Sequence, residues 1–177
     1  MTRTVDTYIE FGVRMAHDDT TAAWVFELPF WGYCGQGASE DEALSALVER
    51  LPSGCRCEVV ERVYGDEQAF ARDHLPAIAA ERDATLAELS RARSQTVELI
   101  RASPPRVLDW DDSSRQLPSW ACWRTLRQMA WHLADTESRY YLPMLGLVSR
   151  PRAADLITEL NASAAYVATG MRVLNSG

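Results

Sequence analysis

Apolar and polar positions alternate along Val5 to Met15 and again along Ala22 to Leu28, and a period of two predicts strands. In the second stretch Trp24, Phe26 and Leu28 share one face, and Glu27 takes the other. His17-Asp18-Asp19-Thr20-Thr21 between them is turn chemistry, so the two strands form a hairpin. Pro29 interrupts the second strand. Phe30 to Gly35 predicts a short, bulge-like third piece, because Gly32, Gly35 and Gly37 break it. Ser39-Glu40-Asp41-Glu42 is a capping box, with three acids in the first turn to suit the helix dipole. Ala43, Leu44, Leu47, Val48 and Leu51 then make one helical stripe, which Pro52-Ser53-Gly54 stops. Residues 55–64 return as a strand, with Cys55, Cys57 and Val59 on one face and Arg56 and Glu58 on the other.

Beyond a polar joining segment from Gly65 to Pro76 the period changes to that of a helix. Ala77 to Ala102 carries Leu86, Leu89, Ala92, Val97 and Ile100 near one face, and Pro104-Pro105 ends it. Residues 103–120 read as a loop with an acidic Asp109-Trp110-Asp111-Asp112. Ala121 to about Val148 predicts a second helix with the stripe Leu126, Ala130, Leu133, Glu137, Tyr140 and Met144. Pro143 inside it is expected to kink or shorten it. Ala153 to Asn175 predicts a third, with Ile157, Leu160, Ala164, Val167, Met171 and Leu174 as a close-packing seam. The fold class is therefore α+β: a small antiparallel sheet with one covering helix over residues 1–70, then an up-down bundle of about three helices over 77–177.

Charge sharpens the division. All 18 basic residues are arginine. Residues 1–76 hold 6 Arg against 14 Asp and Glu, a net of −8, while residues 77–177 hold 12 Arg against 11, a net of +1. A surface of −8 repels phosphate backbones, so no nucleic-acid partner is expected. The absence of lysine excludes Schiff-base chemistry and a P-loop lysine. No apolar run approaches the roughly 20 residues that span a bilayer, and Met1 to Glu10 lacks the apolar core of a signal peptide. A cytoplasmic protein with no membrane partner is the expectation. The four cysteines, Cys34, Cys55, Cys57 and Cys122, then read as free thiols, with Cys55 and Cys57 in the core.

Two stretches carry resemblances to known families. Glu27-Leu28-Pro29-Phe30-Trp31-Gly32-Tyr33-Cys34-Gly35, followed by the capped Ser39-Glu40-Asp41-Glu42-Ala43-Leu44, resembles the HicB-like domain over about residues 5–65. That family includes antitoxins, which usually add a separate DNA-binding element after this sheet; here no ribbon-helix-helix or helix-turn-helix pattern follows. Trp123-Arg124-Thr125-Leu126-Arg127 with His132-Leu133-Ala134 and Glu137 is similar to the second helix of the DinB-like family, over about residues 77–177. The second resemblance implies an up-down-down-up four-helix bundle. Many of its members bind a divalent metal through three histidines, and some are thiol-dependent transferases or isomerases.

The first metal ligand implied by that resemblance falls on His132, with Glu137 as a possible outer partner. The remaining histidines, His17 and His74, do not supply the family's His-x-x-x-His pair, and the fourth helix that carries it has no counterpart. A catalytic metal keeps at least three protein ligands. His132 therefore reads in three ways: a partly buried histidine bonded to a neighbour, a remnant or intersubunit metal ligand, or a catalytic base. Glu137 sits on an apolar stripe, where an unpaired carboxylate is costly. It calls either for an ion pair, with Arg93 the candidate, or for a metal or proton-transfer role beside His132. Trp123, Trp131 and Tyr140 are candidates to line an apolar ligand pocket, or else they fill core. Asp109, Asp111 and Asp112 read as a solvated loop, and Cys122 as a thiol at a helix start.

The expected function is a non-enzymatic binding or regulatory module, acting through protein contacts or an apolar pocket on a small molecule. No catalytic residue and no cofactor are expected. The alternatives are a metal-dependent DinB-like transferase or hydrolase with zinc, nickel, iron or manganese at a degenerate or intersubunit site, and an antitoxin-like toxin or DNA binder. With a fourth helix lacking, a homodimer through the bundle is expected, with helix 153–175 at or near its interface.

Overall fold

A computed structural model describes residues 3–13, 20–28, 30–65, 69–114 and 123–174. His17, Pro29, Trp120 and Cys122 lie outside the described residues. The fold is α+β, a sheet followed by helices, in two compact units, Met1–Thr85 and Leu86–Gly177.

In the first unit, β1 (Arg3–Val13), β2 (Thr20–Val25), β3 (Tyr33–Gly37) and β4 (Cys55–Tyr64) form a four-stranded sheet in the order β3-β2-β1-β4. The expected antiparallel sheet is in fact mixed: β1–β2 and β2–β3 are antiparallel, but β4 runs parallel to β1. Helix α1 (Glu40–Val48) is the reason. It carries the chain from the end of β3 back along the sheet, so β4 starts where β1 starts, as parallel pairing through a helical crossover requires. Its start is capped as the sequence indicates: the Glu42 N–H donates to the Ser39 hydroxyl, and the Glu42 carboxylate accepts from the Ala38 N–H.

The glycines of β3 prove to be spacing rather than breaks. A Cβ at Gly35 would stand 2.2 Å from the Ala43 carbonyl oxygen and 2.3 Å from the Leu47 nitrogen, and one at Gly37 would stand 2.8 Å from the Ala43 nitrogen. Helix α1 thus lies directly on β3, an approach that only a residue without a side chain permits. Beneath it Val5, Ile9, Ala23, Val25, Phe30, Ala43, Leu47 and Leu51 form a closed core, with Cys55, Cys57 and Val59 at its margin. On the other face of the sheet, opposite Trp24, burial pushes the Cys34 thiol up to about 11, so it is protonated at neutral pH. Val60 is skipped where β4 pairs with β1, since Val59 faces Thr7 and Glu61 faces Tyr8. This bulge turns the rest of β4 over. Glu61 thereby reaches the opposite face, where its carboxylate accepts from the Ala71 N–H. There Tyr8, Trp24, Phe26, Trp31 and Phe70 make an aromatic layer, edge-on except where Trp24 stacks on Phe26, and the Arg72 guanidinium lies over Phe26 and Trp31.

Helix α2 (Ala79–Ala102) leads into the second unit, where a one-turn helix α3 (Pro105–Leu108) occupies part of the expected loop. Helix α4 is Leu126–Asp135, not a helix from Ala121. Its start is set by a second capping box: the Thr125 hydroxyl accepts from the Gln128 N–H, and the Gln128 side chain accepts from the Thr125 N–H. The same chain path continues as a π-helical turn, Thr136–Tyr141, and a short α5, Leu142–Met144. Pro143 lacks an N–H, and the helix ends one residue beyond it, the shortening expected of a proline there. Helix α6 is Leu156–Val173, capped by Asp155, whose carboxylate accepts from the Thr158 N–H. Val97, Ile100, Leu108, Ala130, Ala134, Leu156 and Leu160 form this unit's core.

Candidate functional site

The helices of the second unit do not bury the rows that apolar spacing selects. On the α4 path the buried row is Ala130, Ala134, Ser138 and Leu142, whereas Leu133, Tyr140 and Met144 are exposed. On α6 the buried set is Leu156, Glu159, Leu160, Ser163, Val167 and Gly170, so only Leu160 and Val167 of the expected seam are core. Two physical causes combine. Small residues let α4 and α6 approach until the Ser138 and Ser163 hydroxyls hydrogen-bond at 2.8 Å. A π turn also inserts an extra residue and rotates the remainder of the helix, so a 3.6-residue period loses phase after Thr136.

The buried polar row is held by arginines. Arg93, itself buried, donates to both carboxylate oxygens of Glu137 at 2.6 Å and to the Leu160 carbonyl at 3.1 Å. The Ser163 hydroxyl donates to the same carboxylate. Glu137 is therefore the partner of Arg93, the ion pair that its place on an apolar stripe called for. Glu159 is fully buried and accepts from Arg139, from both terminal nitrogens of Arg150 at 2.8 and 3.1 Å, and from the Ala153 N–H at 2.7 Å. Burial alone would raise its pKa; those donors outweigh it and bring the carboxyl down to about 2. Asp135 accepts from Arg139 and from Arg152. These pairs had no sequence signal beyond acids on an apolar face.

With that row turned inward, Met129, His132, Leu133, Tyr140 and Tyr141 are left on the outside and build a trench with Trp123. One limb, about 890 Å³, is lined by Trp123, His132, Asp135, Thr136, Arg139, Tyr140, Tyr141 and Arg152. The other, about 490 Å³, is apolar, with Leu99, Leu126, Met129 and Leu133 among its walls. Both limbs share Trp123, His132, Thr136 and Tyr141. His132 stacks on Trp123 with ring centroids 4.0 Å apart and an interplanar angle of 16°. Tyr140 and Tyr141 meet edge to face at 5.1 Å.

The structure thus brings Trp123, His132 and Tyr140 together, as expected of pocket candidates. Trp131 is placed elsewhere: it packs on the core and carries the Arg152 guanidinium 4.5 Å above its ring. Glu137 lines a separate groove of about 320 Å³, with Leu86, Arg93, Ala164 and Ala168. Asp109 and Asp111 of the 103–120 segment are exposed, as a solvated loop implies, and each also pairs with an arginine: Arg127 binds Asp109 and Arg124 binds Asp111. Asp135, Thr136, Arg139, Tyr141 and Arg152 escaped sequence reasoning.

Among the described residues no group of three or more His, Cys, Asp or Glu side chains is placed to hold a metal ion. In the trench His132 stacks on Trp123, and the one carboxylate of its limb, Asp135, is bound by Arg139 and Arg152, so the pair does not fit a divalent cation. No helix among the described residues is long and apolar enough to cross a membrane. No family model matches the chain, and no curated protein or solved structure matches it either.

Proposed function

We propose that this protein is a binding module, acting in the cytoplasm, whose ligand site is the aromatic trench around Trp123, His132, Tyr140 and Tyr141. The observation that carries this reading is the inversion of the α4 path: its large apolar side chains line an open trench while its small ones pack the core. An aromatic-walled cavity of this size with a few convergent polar groups suits a small planar molecule. A π turn at its wall adds support, since such turns gather at functional sites. The HicB-like and DinB-like resemblances belong to the same reading, as a sheet module joined to a helical one that retains the His132 position.

The test is an NMR titration of the whole chain with 2-naphthamide, a neutral planar aromatic. Shifts clustered at residues 123–141 and lost in Trp123→Ala are expected; no binding, or binding unaffected by that change, refutes the reading. Pairing of two copies through the bundle is part of the proposal, because Leu99, Met129, Leu133 and Tyr141 in the walls of the trench are themselves exposed apolar surface. Light scattering that finds a monomer at tens of micromolar refutes that part.

A further inference from the structure

The charges around the larger limb do not cancel. Arg139, Arg150 and Arg152 face two carboxylates, Asp135 and Glu159, so one positive charge is left over. Arg139 is fully engaged: it donates to Asp135, to Glu159 and to the Arg150 carbonyl. Arg150 is mostly buried and spends both terminal nitrogens on Glu159. Arg152 differs. Its side chain is 52% exposed, it lines the trench, and its bond to Asp135 uses one terminal nitrogen. The Trp131 ring lies beneath it, 4.5 Å from the guanidinium carbon to the ring centroid, so Arg152 is held between this ring and Asp135. A flat, oriented guanidinium with donors to spare beside a wall of aromatic rings is a carboxylate receptor.

Resting on the proposed binding role, we propose that the trench takes a planar aromatic carboxylate, its ring against Trp123, Tyr140 and Tyr141 and its carboxylate on Arg152. A cationic ligand is disfavoured, because Asp135, the one acid among the described residues lining the limb, is already neutralised by two arginines. A phosphate dianion is a poorer match, since one surplus charge and one oriented fork complement a monoanion.

Calorimetry on the whole chain with 2-naphthoate and with its neutral isostere 2-naphthamide tests this. The acid should bind about tenfold more tightly than the amide at low salt, a difference of about 1.4 kcal/mol, because a hydrogen bond to a charged group is stronger than one to a neutral group. Arg152→Gln should bring the two within about twofold of each other, and salt should narrow the gap in the parent chain. Equal binding of acid and amide overturns the carboxylate assignment while leaving the binding role intact. So does an advantage of the acid that survives Arg152→Gln. Failure of both probes to bind overturns the two proposals together.

Discussion

Replacing Glu159 by Gln removes the charge that Arg139 and Arg150 share inside the second unit. The side chain is fully buried and accepts from both arginines and from the Ala153 N–H. Its carboxyl titrates at about 2 in the folded chain, against about 4.3 in an unfolded one. A displacement of about two units corresponds to about 3 kcal/mol of stability at neutral pH. Breaking a buried pair from one side costs about 3–5 kcal/mol in proteins generally, so the two routes agree. Because the folded pKa is depressed, this stability is present above the unfolded pKa. It is lost as pH falls from about 4.5 toward about 2. Urea unfolding of parent and Glu159→Gln followed by circular dichroism should show a gap of about 3 kcal/mol at pH 7. By pH 3 the gap should have shrunk by about 2 kcal/mol. The parent's midpoint temperature at pH 7 should exceed the variant's by about 12 °C or more. A gap below about 1 kcal/mol, or one that is the same at pH 3 and pH 7, refutes the assignment of Glu159 as the ionised anchor of the two arginines.

Arg93→Ala and Glu137→Ala should each cost about 3 kcal/mol, while the apolar pair Arg93→Met with Glu137→Leu should be nearly neutral; additive single effects in a double-mutant cycle would count against the buried pair. Gly35→Ala should destabilise the sheet unit by about 3 kcal/mol, because its Cβ meets the backbone of α1 rather than a movable side chain; a loss under about 1 kcal/mol in thermal unfolding would show that α1 does not sit on β3.

The sequence by itself determined the elements of the first unit, β4 to the residue and the other strands to within two or three. Period-two alternation placed β1, β2 and β4, and Ser39 with Glu42 placed the start of α1, because strand alternation and capping are local physics. It also pointed to an ion pair as one of two readings of Glu137, with Arg93 the candidate, and to a helix kinked or shortened at Pro143. The parallel run of β4 lay beyond it, since strand direction depends on where α1 delivers the chain. So did the role of Gly35, which is legible only when the Ala43 carbonyl is seen beside it. In the second unit tertiary structure overruled the apolar rows. Close packing at Ala134, Ser138 and Ser163, together with arginines that neutralise Glu137 and Glu159, made a polar row buriable. The π turn then rotated Tyr140 and Met144 outward. Hydrophobic periodicity assumes that the largest apolar face is the buried one. Here ion pairing and small side chains reversed that choice, and the aromatic side chains left outside became the trench.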